Sequence, residues 1–167
     1  TIGSLREQLL YPRKASEASE WTSERLRDVL ERVSLAPLLE RASAAHDESV
    51  ADPLDYVCDW SDILSLGEQQ RLGFARVLTN GPALVLLDEA TSALDLATEA
   101  RMYSLLEQMP SVTYISVGHR PSLRRFHRKG LALGGGAGVP PELVDITEQA
   151  VEEATTAASG GASASAH

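Results

Sequence analysis

The sequence predicts an α/β fold with a mostly parallel sheet, and three observations predict it. Ala83 to Leu87 is a continuous apolar run ending in Asp88-Glu89. Thr113 to Val117 is rich in β-branched residues and ends at Gly118-His119. Between them Met102, Leu105, Leu106 and Met109 fall at i, i+3, i+4 and i+7, the period of a helix with one apolar face. Strand, helix, strand in this order places functional groups at the carboxyl ends of the strands.

Earlier elements follow from the same rules. Residues 1–20 read as a polar connector with a short helical start at Leu5 to Leu10, which Tyr11-Pro12 ends. Leu26, Val29, Leu30 and Val33 repeat at helical spacing behind an N-cap at Thr22 or Ser23. Pro37 to Ala45 is a second helical piece, with proline in the first turn. Residues 46–63 read as mostly irregular and acidic, with Trp60 among them. Ser65-Leu66-Gly67-Glu68 has the form of a capping box and opens a helix through Leu72, Ala75 and Leu78. Asn80-Gly81-Pro82 stops that helix. The run at Ala83 to Leu87 reads as a fully buried strand of a parallel sheet. Pro110 closes the helix after it, a short basic helix starts near Pro121, and Leu131 to Leu133 forms a last strand before Gly134-Gly135-Gly136. Residues 139–167 are acidic and then rich in Ala, Ser, Gly and Thr, a composition that predicts disorder with room for a short helix around 141–154.

Composition narrows the function. The 167 residues carry a formal net charge of -9, from 24 acidic and 15 basic side chains. That balance argues against a nucleic-acid partner, because phosphate backbones reward clustered Lys and Arg. A single cysteine, Cys58, offers neither a disulfide framework nor a metal cluster. No run of about 18 apolar residues is present, so nothing reads as a membrane span. The opening Thr1-Ile2-Gly3-Ser4-Leu5-Arg6 lacks a signal-peptide layout and an initiator Met, so the chain is expected to begin mid-domain.

Four segments carry candidate chemistry. Asp88 and Glu89 end an apolar strand, where adjacent carboxylates need a partner. Asp88 suits a hard cation such as Mg²⁺, held directly or through water. Glu89 suits a base that orients and deprotonates an attacking water. A strand running into an acidic, solvent-facing turn explains the pair as well. Leu64-Ser65-Leu66-Gly67-Glu68-Gln69-Gln70-Arg71 opens a helix with Ser and Gly, so its free N–H groups and positive dipole end favour a phosphate. Taken alone, a well-capped helix is the simpler reading. Thr91-Ser92-Ala93-Leu94-Asp95 follows the carboxylates, and Asp95 would also cap the next helix. His119, at the end of the second strand, could meet a terminal phosphate or simply be exposed.

The order of these segments closely resembles the ABC ATPase family, over about residues 1–135. Leu64 to Arg71 resembles the signature motif and Leu84 to Asp88 the Walker B strand. Glu89 stands where that family has its catalytic base, Ser92-Ala93-Leu94-Asp95 where it has the D-loop, and His119 where it has the switch histidine. The resemblance departs at Leu66, where the usual signature has glycine. It also lacks a G-x-x-x-x-G-K-[ST] phosphate loop, the adenine-stacking aromatic and the Q-loop glutamine. Thr1 to Arg6 resembles the segment just after that glutamine, so the chain looks cut there. Gly3 to Pro12, Asp59-Trp60 and His119-Arg120-Pro121-Ser122-Leu123 are similar to the peroxisomal-type half transporters and their bacterial relatives.

The resemblance implies a partial P-loop NTPase core of RecA type joined to the ABC helical subdomain, with a sheet incomplete at its N-terminal side. Residues 1–138 would be the C-terminal part of a nucleotide-binding domain, with the helical subdomain at about 20–80 and the catalytic core at about 81–138. Residues 139–167 would be the tail. It implies ATP and Mg²⁺ as cofactors, with Asp88 on the metal and Glu89 and His119 catalytic. Ser65, Gly67, Glu68 and Asp95 would contact nucleotide. It implies a second ABC ATPase domain paired head to tail, a transmembrane domain joined to this one, and a place on the cytoplasmic face of the membrane. The expected activity is ATP hydrolysis that powers transport. The alternative is a truncated fragment without activity of its own, serving only as an interaction module. A third reading, a soluble ABC ATPase of DNA repair or translation, is disfavoured by the acidic charge.

Overall fold

The computed structural model describes residues 2–45, 51–133 and 140–146. The chain divides into two compact units, Thr1–His119 and Arg120–His167.

In the first unit, β1 (Ile2–Ser4) runs directly into α1 (Leu5–Leu10). Ser4 makes the turn possible: its hydroxyl accepts the Glu7 N–H at 3.2 Å, while the Glu7 carboxylate accepts the Ser4 N–H at 2.7 Å. The helix buries Leu5, Leu9 and Leu10. α2 (Ser23–Arg32) starts behind Thr22 and buries Leu26, Val29 and Leu30, the face its spacing predicts. α3 (Pro37–Ala45) adds Leu38 and Ala42 to the same core.

The stretch expected to be irregular is more ordered than that. Its residues 46–50 lie outside the described ones, but the rest forms a 3-10 turn at Pro53–Asp55, a strand β2 (Val57–Asp59) and a one-turn helix α4 (Trp60–Ile63). β2 pairs antiparallel with β1, Gly3 opposite Cys58. Trp60 is only 2% exposed, and its indole N–H donates to the Gly3 carbonyl at 3.0 Å. Long-range pairing orders this piece. A three-residue strand is too short to show a period.

α5 (Leu66–Asn80) starts at the Ser65 capping box and ends at Gly81, whose φ of 53° is the left-handed position that glycine adopts without strain. It lies against α1 through polar contacts as well as apolar ones. The Arg76 guanidinium donates to the Gln8 carbonyl at 2.7 Å and the Gln8 side-chain oxygen at 3.1 Å, and the Thr79 hydroxyl donates to the Leu9 carbonyl at 2.7 Å.

β3 (Leu84–Asp88) and β4 (Thr113–Val117) pair in parallel, joined through α6 (Leu96–Glu107). The register runs from Leu84 opposite Thr113 to Asp88 opposite Val117. Side chains alternate across such a pair, and the two faces differ. Val85, Leu87, Tyr114 and Ser116 face α6, where Tyr103 stacks edge-on to Phe74 and Tyr114 and hydrogen-bonds Ser116 at 2.8 Å. Leu84, Leu86, Ile115 and Val117 are on the other face and are exposed, Leu86 at 71%. The expected fully buried strand is therefore buried on one face only. A run of consecutive apolar residues cannot say how many of its faces are covered.

In the second unit, the basic segment is a 3-10 turn, Pro121–Phe126. β5 (Lys129–Ala132) pairs antiparallel with β6 (Glu142–Asp145). β6 corrects the expected disorder of the tail at residues 142–145; residues 147–167 lie outside the described ones. The pairing has a steric reason. Gly130 has no side chain, and a Cβ there would lie 3.3 Å from Ile146 and 3.4 Å from Val144, so these two apolar groups cover the glycine.

A charge network ties α1, α2 and the Pro53–Asp55 turn together. Asp52 accepts from Arg27 at 2.7 Å, Ser23 at 2.6 Å, the Leu54 N–H at 3.0 Å and Arg6 at 3.4 Å. Burial pushes the Asp52 carboxyl up, but the Ser23 hydroxyl, the Leu54 N–H, Arg27 and Arg6 together outweigh it and hold it below the usual carboxylate range. A lowered folded pKa adds stability above the unfolded value and loses it as the pH falls through the folded one. Asp52→Asn is therefore expected to lower the melting temperature at neutral pH, with the gap from the parent closing as the pH drops below about 4. Melting curves across pH check this, and a pH-independent gap would show that the charge is not the cause.

Candidate functional site

The parallel pair brings the acidic strand end and the histidine together. Asp88 closes β3 on the open face, opposite Val117 of β4. The chain then turns sharply at Glu89, whose φ of 46° is left-handed. Such a conformation strains a residue with a Cβ and persists only where the surroundings enforce it. Here the Glu89 N–H donates to the Val117 carbonyl at 2.9 Å, which extends the ladder by one bond. The turn points the Glu89 carboxylate at His119, with Oε1 3.1 Å from Nδ1. Both side chains are solvent-accessible, Glu89 at 46% and His119 at 76%. Three of the sequence-predicted site residues thus gather at the carboxyl ends of two adjacent strands.

The segment after Glu89 is a compact turn. Ser92 N–H donates to Glu89 O at 3.1 Å and Leu94 N–H to Thr91 O at 3.0 Å. Thr91 is buried, and its hydroxyl meets the fully buried carboxylate of Glu99 on α6 at 2.9 Å. Asp95 caps α6, accepting the Thr98 N–H at 2.8 Å and the Thr98 hydroxyl at 3.0 Å. These bonds hold its carboxyl below the usual range.

The start of α5 lies beside this turn. Glu68 accepts from the Ser65 N–H and hydroxyl, both at 2.9 Å, and its other oxygen pairs with Arg41. Burial raises the Glu68 carboxyl, but Ser65 and Arg41 more than offset that and keep it low. Both Glu68 oxygens are therefore engaged within the protein. The N–H groups of Leu66 and Gly67, in the first turn, have no acceptor inside their own helix. Gly67 is where the helix touches the turn: a Cβ on it would lie 3.3 Å from the Ala93 carbonyl.

Gln70 joins the two groups; the sequence places it in the signature-like segment but assigns it no role of its own. Its amide nitrogen donates to the Glu89 carbonyl at 3.1 Å and the Ser92 hydroxyl at 2.8 Å, and its oxygen accepts the Ala93 N–H at 3.0 Å. A glutamine on a helix has no sequence signature for such a role; only its position one turn beyond Gly67 could have hinted at it.

Chemically, the site offers an exposed carboxylate, a second carboxylate hydrogen-bonded to an imidazole, and free amides at a helix start. One carboxylate with phosphate oxygens suits Mg²⁺, which keeps much of its water. Among the described residues no group of three or more His, Cys, Asp or Glu side chains could hold a metal unaided. Among them, too, no helix is long and apolar enough to cross a membrane.

The family model described as ABC transporter matches residues 2–92, which include the Ser65 helix start and the Asp88-Glu89 pair. An uncharacterized ABC transporter ATP-binding protein of Synechocystis is 47% identical over 130 residues, 78% of this chain and 18% of that protein. The chloroplastic ABC transporter D family member 2 of Arabidopsis thaliana is 40% identical, across 79% of this chain and 20% of its own length. The human lysosomal cobalamin transporter is 41% identical, across 81% of this chain and 22% of its own. The chain thus spans about a fifth of the length of these relatives. A bacterial Atm1-family ABC exporter with ATP bound superposes with a TM-score of 0.64 at 24% identity, across 98% of this chain and 27% of that one, which shows a shared fold. The strand-end acids, the capped glycine helix and the fold converge on one conclusion: the chain belongs to the ABC transporter family, alongside its D-family members and their bacterial relatives.

Proposed function

We propose that this chain is the C-terminal part of an ABC nucleotide-binding domain that binds and hydrolyses ATP to power transport across a membrane. The observation that carries the proposal is the contact between Glu89 and His119 at the ends of β3 and β4, directly after Asp88.

In this reading Glu89 orients the attacking water and takes its proton. His119 steadies Glu89 through Nδ1; as an imidazolium, with hydrogen on both ring nitrogens, it would also donate from Nε2 to the terminal phosphate. Asp88 would hold Mg²⁺, and the ion would supply neutralisation of phosphate charge. The amides of Leu66 and Gly67, with the Ser65 hydroxyl, present the positive end of α5 to a phosphate. Glu68 contributes by completing the cap that fixes Ser65, and Asp95 by fixing the turn beside it.

Membership of the family supports a reading of the whole assembly. Two ATPase domains pair head to tail, so that the α5 start serves the nucleotide of the partner while Asp88, Glu89 and His119 serve their own. The phosphate loop and the transmembrane domain lie elsewhere in the transporter, and the site works at the cytoplasmic face. Nucleotide-driven closing and reopening of the pair moves the membrane domains.

Glu89→Gln in the complete transporter is expected to reduce ATP turnover by about a hundredfold or more while ATP binding persists. Asp88→Asn is expected to raise the Mg²⁺ concentration needed for nucleotide binding. Steady-state hydrolysis and binding titrations with varied Mg²⁺ read both effects. Full turnover by Glu89→Gln would remove Glu89 as the base.

A further inference from the structure

We propose that Gln70 is a positioning residue for hydrolysis: its amide locks the strained Glu89 and the turn that follows it onto the start of α5. The proposal rests on the reading of Glu89 as the base. Three bonds from one side chain reach residues 89, 92 and 93, at 3.1, 2.8 and 3.0 Å. They use the amide as both donor and acceptor, which a carboxylate or an apolar side chain of similar length cannot do.

The need for such a lock is visible in the backbone. Among the described residues only Ser34 and Glu89 combine a side chain with a positive φ. Glu89 keeps that conformation only if groups on both sides of it are held. Val117 holds its N–H at 2.9 Å. Gln70 holds its carbonyl, and so fixes the peptide plane that leads into the turn. From the other side, Glu99 anchors Thr91 at 2.9 Å. The turn is thus gripped by α5 above and α6 below. The direction of the Glu89 carboxylate, and its 3.1 Å approach to His119, depend on that grip. Through Gln70, movement of the α5 start is transmitted to the strand-end acid, because Gly67 and Gln70 both touch residue 93.

The test uses the complete transporter, with kcat, KM for ATP and melting temperature measured together. Gln70→Glu keeps the acceptor but loses both donors; Gln70→Met loses all three bonds at similar volume. Each is expected to lower kcat by about tenfold to a hundredfold, as misplacement of a catalytic group does, with KM and melting temperature unchanged. Unchanged kcat overturns the proposal. A fall in kcat only alongside KM and melting temperature also overturns it, because a packing residue behaves that way. Ser92→Ala removes one of the three bonds without touching α5. It should give a smaller loss of kcat, and it decides the matter should the Gln70 variants fail to fold: no loss there overturns the proposal. Glu89→Gln run in parallel separates the two claims. If it retains turnover, the reading of Glu89 falls and the lock falls with it. If it abolishes turnover while the Gln70 variants are normal, only the lock falls.

Discussion

The register between β3 and β4 is the constraint on which the site depends. Five residue pairs, from Leu84 opposite Thr113 to Asp88 opposite Val117, set the strand ends level. Levelling lets the Glu89 N–H reach the Val117 carbonyl and brings the Glu89 carboxylate to His119, thirty positions along the chain. Because side chains alternate, a slip of one residue would send Asp88 to the face that Tyr103 occupies and Leu87 into the open. The register is held by that same alternation. Tyr103 reads it twice, stacking on Tyr114 and hydrogen-bonding Ser116, and neither contact survives a shift. Such aromatic and hydroxyl pairing across elements contributes about 1 kcal/mol each and, more to the point, only in one alignment.

α5 is the second rigid element. Its C-terminal half is tied to α1 by Arg76, Thr79 and Asn80, with Asn80 donating to the Tyr11 carbonyl at 2.9 Å. Its N-terminal half is tied to the turn after β3 by Gly67 and Gln70. Both tethers use hydrogen bonds to backbone carbonyls, which fix direction as well as distance. The helix therefore carries one geometry from the α1 region to the acidic strand end. The face left exposed on β3 and β4, with Leu84, Leu86, Ile115 and Val117, is apolar, and Asp88 stands at its edge.

Much of this is legible in the sequence. The capping boxes at Ser4 and Ser65 are reciprocal bonds between side chains and backbone three residues apart, so local sequence contains both partners. The helical faces at Leu26, Val29 and Leu30 and at Met102, Leu105 and Leu106 are likewise local patterns. What escaped was non-local. β2 exists because Cys58 meets Gly3 and Trp60 finds the Gly3 carbonyl. β6 exists because Val144 and Ile146 cover Gly130. Gln70 escaped because its partners, Glu89, Ser92 and Ala93, are about twenty residues away and two of the three bonds are to backbone, which every residue carries.

The conformation of Glu89 explains why so many groups converge on one turn. A left-handed non-glycine residue costs about 1 kcal/mol or more, and glycine would remove that cost but also the carboxylate. The acid must therefore be held in place by bonds rather than by backbone preference. Val117 holds its N–H, Gln70 its carbonyl, His119 its carboxylate, and Glu99 the residue two positions on. Together these bonds offset the strain of the left-handed residue. An acid held this way is tied through Gln70 to the start of α5. On the proposed head-to-tail pairing, that start would serve the partner's nucleotide, and the turn would join the grip on one ATP to the acid proposed to act on the other.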